Sequence, residues 1–214
     1  MLVLIIFMKK YTLLLPVVLL IHITCTEKPE NANKQHKHEA SSKQFTAYID
    51  SINRGLIEKD TLKGSPSRLT MANIGPVHVH IEYQSPGVKD RIIWGGLVPY
   101  NEIWVTGAHT ATRININGAI FFQGKKIEAG TYALFTIPGE KEWIFIINKN
   151  YKQHLADEYS AADDVFRMTV TPQENNLVQR LTWQVVPDNK NRGKLIMQWE
   201  KIKIEVPFSV EEIK

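Results

Sequence analysis

Residues 77–83, Val-His-Val-His-Ile-Glu-Tyr, alternate apolar and polar side chains without a break. Only an extended strand gives such a period a purpose, because successive strand side chains leave opposite faces whereas a helix repeats every 3.6 residues. The alternation sends Val77, Val79, Ile81 and Tyr83 into a core and His78, His80 and Glu82 outward. It returns at the far end of the chain, where Ile202, Ile204 and Val206 alternate with Lys201, Lys203 and Glu205. Between the two lie strand candidates at 91–94, 102–105, 113–117, 119–122, 131–138, 142–148, 165–171, 181–186 and 195–199. Turn signals such as Asn117-Gly118, Gln123-Gly124, Ala129-Gly130, Pro138-Gly139 and 191–193 separate them. Many short strands with hardly a helix among them predict an all-β fold, an antiparallel β-sandwich of jelly-roll-like type with about ten strands. Within it, 143–147 is apolar on both faces. That predicts a strand covered on both sides, by a second sheet and by the segment that follows.

Three stretches depart from the strand pattern. Phe45, Tyr48, Ile49 and Ile52 fall at helical spacing, and Gly55 is placed to end the helix, so 44–64 reads as a short helix with a linker leading into a sandwich of 65–210. Residues 150–164 interrupt the strands and read as one short helical insertion, in which His154, Asp157 and Glu158 stand at i, i+3 and i+4. The third is the N-terminus. Lys9 and Lys10, an apolar run over 12–23 and then Cys25, the chain's one cysteine, read as a secretory signal of lipoprotein type over 1–24, with cleavage before Cys25. The expected consequence is a lipid on the Cys25 thiol and a protein held at a bacterial membrane surface, in the periplasm or on the outer membrane, or else secreted. A small residue before the cysteine and a leucine two places further back are usual in such signals; Thr24 and His22 stand there instead. Residues 25–43 are polar and proline-containing and read as a flexible tether, its His36 and His38 solvated. With a single cysteine, no intrachain disulfide can form.

Charge and motifs exclude several function classes. The formal charge of +4 includes Lys9 and Lys10, and basic residues alternate with acidic ones elsewhere, so no face of one sign is offered to DNA or RNA. No serine lies in a Gly-x-Ser-x-Gly elbow, and the single thiol is assigned to lipid, so acyl-enzyme chemistry lacks its nucleophile. Gly95-Gly96 follows a strand candidate, but no helix follows to hold phosphate.

The stretches SPGVKDRIIWGGLVPYNEIWVTGAHTATRI, AGTYALFTIPGEKEWIFIINKNYKQHLADEY and MQWEKIKIEVPF, in that order, resemble the bacterial family known as domain-of-unknown-function 2911. The resemblance covers roughly 65–208. It implies a secreted or envelope protein and carries no activity with it. Many members look like Trp-Arg-Thr-Gly-Ala-Asn where this chain has Trp104-Val105-Thr106-Gly107-Ala108-His109.

The candidate site lies where regular structure breaks, because loops held on a rigid sheet are where binding groups collect. His109 and His154 both stand at such breaks. With Asp157 or Glu158 they would form a two-histidine, one-carboxylate set for Zn²⁺ or Fe²⁺, the basis of a metal-dependent hydrolase or oxygenase. The His78–His80 pair with Glu82 is a weaker metal candidate, since both rings leave the core face. Asp163 and Asp164 read as a solvated turn. Tyr100 and Trp104, with Arg91 or Arg113, suggest a different chemistry: a cleft between 99–112 and 151–159 that takes a small molecule, a glycan, a peptide or another envelope protein. Trp143, Trp183 and Trp199 alternate with apolar residues and read as core.

Overall fold

A computed structural model of the chain describes residues 45–211. The signal, Cys25 and the whole of the tether lie outside the described residues. A helix, α1, spans 45–53. Ten strands follow among the described residues: β1 (Ser67–Ile74), β2 (Val77–Gln84), β3 (Thr112–Ile116), β4 (Ile120–Phe122), β5 (Lys125–Ile127), β6 (Gly130–Ile137), β7 (Trp143–Asn148), β8 (Asp164–Val170), β9 (Gln173–Asn189) and β10 (Arg192–Ser209). They form two antiparallel sheets, one in the order β1-β2-β3-β6-β7-β8 and one in the order β5-β4-β10-β9. The β-sandwich is as expected. The chain passes from the six-stranded sheet to the four-stranded one between β3 and β4, returns between β5 and β6, and crosses again between β8 and β9.

The core forms between the sheets from the inward half of each alternation. Val77, Val79, Ile81 and Tyr83 of β2 meet Leu181, Trp183, Leu195 and Met197 of the β9–β10 hairpin in one buried cluster. Burial in β2 alternates residue by residue. Trp143, Trp183 and Trp199 are buried as expected. β9 and β10 are longer than the strand candidates within them, because their pairing continues through irregular register at Gln198 to Ile202 and, in β10, joins 195–199 to the alternating run over 201–206.

β7 is covered on both faces. Phe145 and Ile147 face the sandwich core, while Ile146 packs outward with Phe135, Ala133, Val105 and Ala111. Tyr151, Ala156 and Tyr159 close this outer cluster. The insertion is therefore a cover, but it is not helical. It runs as turns that end in a 3-10 turn at Ala161–Asp163. The reason is visible in its backbone: Leu155 adopts a left-handed φ of 51°, and its amide donates to the His109 carbonyl instead of closing a helical turn. Two further strand candidates, 91–94 and 102–105, are loops: Trp94 bridges Val98 within the same loop, and 102–105 meets β6 through an isolated bridge of Trp104 with Thr136.

Helix α1 ends as Gly55 predicts. Gly55 takes φ 71°, and the Leu56 amide donates to the Ser51 carbonyl. Ile49 and Ile52 are buried beneath it. The helix and linker are tied to β9 by Arg180, whose side chain is fully buried. Its guanidinium pairs with Asp60 at 2.8 Å and donates to the carbonyls of Gly64, Ser85 and Leu62. No helix among the described residues is long and apolar enough to cross a membrane.

Candidate functional site

The segment 104–112 leaves the sheet because its backbone is bent by hydrogen bonds from elsewhere. Thr106 holds φ 50°, a conformation that a β-branched residue rarely adopts. Its carbonyl accepts from Trp183 Nε1 at 3.1 Å and from Thr112 Oγ1 at 3.0 Å, and its hydroxyl meets that of Thr136 at 3.1 Å. Gly107 follows because nothing larger fits: a Cβ there would lie 2.8 Å from Thr112 Oγ1. Trp104 then donates Nε1 to the Gly107 carbonyl at 3.1 Å. His109 also has a left-handed φ, 61°, which turns its imidazole outward while its carbonyl accepts from Leu155 at 2.6 Å. Backbone strain of this kind persists only where the surroundings over-determine it, and it gathers at functional sites.

The insertion meets this loop along its edge. Thr110 bridges His154, and the Ala111 amide donates to the Gln153 carbonyl at 3.1 Å. The expected convergence of 99–112 with 151–159 is thus present, made by backbone rather than by imidazoles. A cleft of about 340 Å³ opens beside it. Trp104, Trp199, Val98 and Val105 line its inner part, and Arg91, Leu97, His109 and Leu155 its rim. Beneath lies a tryptophan cluster: Trp94 is 4.8 Å from Trp143 and 5.7 Å from Trp104, and Trp104 stacks on Trp199 at 5.8 Å.

The residues expected at the site fare differently. His109 and Trp104 line the cleft. Tyr100 does not; its ring lies against Gly95, where a Cβ would come within 2.9 Å of it. His154 points away as well, its Nδ1 lying 3.5 Å from Asp157 with both side chains about two-thirds exposed, and Leu155 takes its place at the rim. Among the described residues, no three His, Cys, Asp or Glu side chains are gathered so that they could hold a metal ion. His109, His154 and Asp157 are therefore not assembled as a ligand set. His78 instead pairs with Asn73 at 2.7 Å, and Glu82 lies 3.8 Å from His80 and pairs with Arg113 on the outer face of the sheet. Arg91, not Arg113, belongs to the cleft.

Asp164 corrects the reading of a solvated turn. Its carboxylate is almost wholly buried and accepts from Tyr159 at 2.8 Å, Asn148 at 2.7 Å and Arg167 at 2.5 Å. Burial, and then the bond to Asp164, push the Tyr159 phenol above its ordinary pKa. This network pins the insertion onto β7 and so fixes the Leu155 side of the cleft. Sequence reasoning missed Leu97 and Leu155 as rim residues and Arg180 as an anchor. The signal for the first two was present as apolar residues in loops; a lone arginine in a strand gives none.

A family model described as a protein of unknown function, DUF2911, matches residues 65–208. No curated protein and no solved structure matches the chain.

Proposed function

The chain belongs to the DUF2911 family, and on that premise we propose that it is a small-molecule-binding module of the bacterial cell envelope, held at a membrane through lipid on Cys25. The observation that carries the binding half is the cleft beside Thr106 to His109. Its walls are fixed by strained backbone and cross-loop hydrogen bonds, its inner part is aromatic and aliphatic, and few polar groups converge on it. That is the ordinary composition of a preformed ligand pocket, and its volume sits at the small end of the range that such pockets occupy. The anchoring half rests on the order of lysines, apolar run and cysteine in the first 25 residues.

Each half has its own measurement. In a fragment screen by NMR, binders are expected to move the indole N–H signals of Trp104 and Trp199 first. Binders that shift only residues distant from 86–109 and 155 would remove the cleft from consideration. For the anchor, mass spectrometry of protein from the membrane fraction should find Cys25 as the first residue with acyl chains attached. An unmodified Cys25, or a chain that begins elsewhere, would leave the protein without that anchor.

A further inference from the structure

Resting on the reading of the cleft as a binding site, we infer that it selects small amphipathic carboxylic acids, with Arg91 holding the carboxylate and Trp104, Leu97 and Leu155 holding the apolar body. Arg91 stands at the rim of the cleft. Its Nε donates to the Val88 carbonyl at 3.1 Å and one terminal nitrogen donates to the Gly87 carbonyl at 2.5 Å. These bonds use two of its five N–H groups and fix the plane of the guanidinium without neutralising it. Among the described residues, Arg68, Arg113, Arg167 and Arg180 each pair with a carboxylate while Arg54, Arg91 and Arg192 do not, and of these three it is Arg91 that lines the cleft. A held, uncompensated guanidinium is the group best shaped to take a carboxylate through two parallel hydrogen bonds.

The surroundings of Arg91 specify the rest of the ligand. Leu97 and Leu155 are 47% and 41% exposed, large apolar side chains at the rim of the cleft. The Trp104 indole has already given its N–H to Gly107 and one face to Trp199. It therefore offers the ligand apolar surface and no hydrogen bond. A glycan would need several polar partners along its hydroxyls and an open aromatic face; the lining supplies Arg91, His109 and Ser65 as its polar side chains. A short apolar chain or ring ending in one carboxylate meets what is present, and 340 Å³ holds a small acid rather than a whole phospholipid.

The test compares octanoate, octan-1-ol and octylammonium by calorimetry on the full-length chain, with the Trp104 and Trp199 indole signals reporting position. Octanoate should bind about tenfold to a hundredfold more tightly than octan-1-ol, the worth of a charge-assisted hydrogen-bonded pair, and octylammonium more weakly than either. Arg91→Gln should bring octanoate down to the affinity of the alcohol and leave the alcohol unchanged. Arg91→Lys should recover part of the difference, since it restores the charge without the fork. Because Arg91 is exposed, the variants should keep the wild-type unfolding midpoint. If octan-1-ol binds the cleft as well as octanoate does, carboxylate selection is wrong and the cleft reading stands. If none of the three probes moves either indole signal, both fall.

Discussion

Arg180 and Arg91 lie on either side of the same short stretch of chain, yet the molecule uses them in opposite ways. Gly87 bridges Arg180 through its backbone, and its carbonyl accepts from Arg91. Arg180 is buried, paired with Asp60 and surrounded by three backbone carbonyls, so its donors are committed to joining the linker and the end of β2 to β9. Arg91 is held by carbonyls alone, and its charge faces solvent at the rim of a cleft. The difference teaches that a cation's role is read from its unspent donors. A guanidinium that is buried with its charge paired is architecture, whereas one that is positioned but unbalanced is available to a ligand.

The hardest way to break this comparison is to remove the committed arginine. Arg180→Met leaves the Asp60 carboxylate buried without its counter-charge, and stripping one partner from a buried ion pair costs about 3–5 kcal/mol. Chemical denaturation should show that loss, with the linker from Asp60 to Gly64 loosening from β9. Adding Asp60→Leu to the same chain should return most of it, since the unpaired charge, rather than the missing contact, is the larger cost. A chain in which Arg180→Met alone unfolds at the wild-type denaturant concentration would show that the clamp is not structural.

A smaller effect is expected where the loop of the cleft is set. Gly107→Ala places a methyl 2.8 Å from Thr112 Oγ1 and 3.3 Å from the Gln84 carbonyl. Either the Thr112 hydroxyl gives up the Thr106 carbonyl or the loop moves outward, at a cost of about 1–3 kcal/mol. The signature should be local: the Trp183 indole N–H, which donates to the same Thr106 carbonyl, should lose protection from hydrogen exchange while the β2 amides keep theirs. Unchanged exchange at Trp183 would mean that the loop is not held as described.

How much of this could be seen in the chain alone follows from the range of the forces involved. Period two over 77–83 gives β2 its inward and outward faces outright, and the doubly apolar 143–147 gives a covered strand, because both are local consequences of side-chain direction. Gly55 ends its helix by a backbone preference equally local. The insertion reads as helix from sequence because His154, Asp157 and Glu158 at i, i+3 and i+4 suit a helix and a turn alike. What decides is the pairing of Leu155 with His109, a contact across 46 positions that no local pattern encodes. The site divides the same way. His109 and Trp104 are legible as polar and aromatic groups at a break in a strand; that Leu155 and not His154 faces the cleft depends on one left-handed φ. Arg180 lies in a strand among neighbours that give no hint of Asp60, more than a hundred residues earlier.

The smallest effect belongs to the pair that sequence spacing made most conspicuous. His154 and Asp157 approach to 3.5 Å, but each side chain is about two-thirds exposed. Water screens such a pair, and ordering two side chains offsets most of what attraction remains, so exposed pairs contribute under about 1 kcal/mol. His154→Ala should therefore leave the denaturation midpoint nearly unchanged and leave octanoate binding at the cleft intact, because the site is joined here by the backbone on either side of His154, the Gln153 carbonyl and the Leu155 amide, which alanine leaves in place. His154→Pro sharpens the point. It fixes its own φ and restricts the preceding Gln153, whose carbonyl receives the Ala111 amide, so it should loosen the rim and weaken binding although it deletes the same imidazole. If alanine and proline at 154 weakened octanoate equally, the ring and not the backbone would be the working part, and His154 would have to be placed back among the groups that touch a ligand.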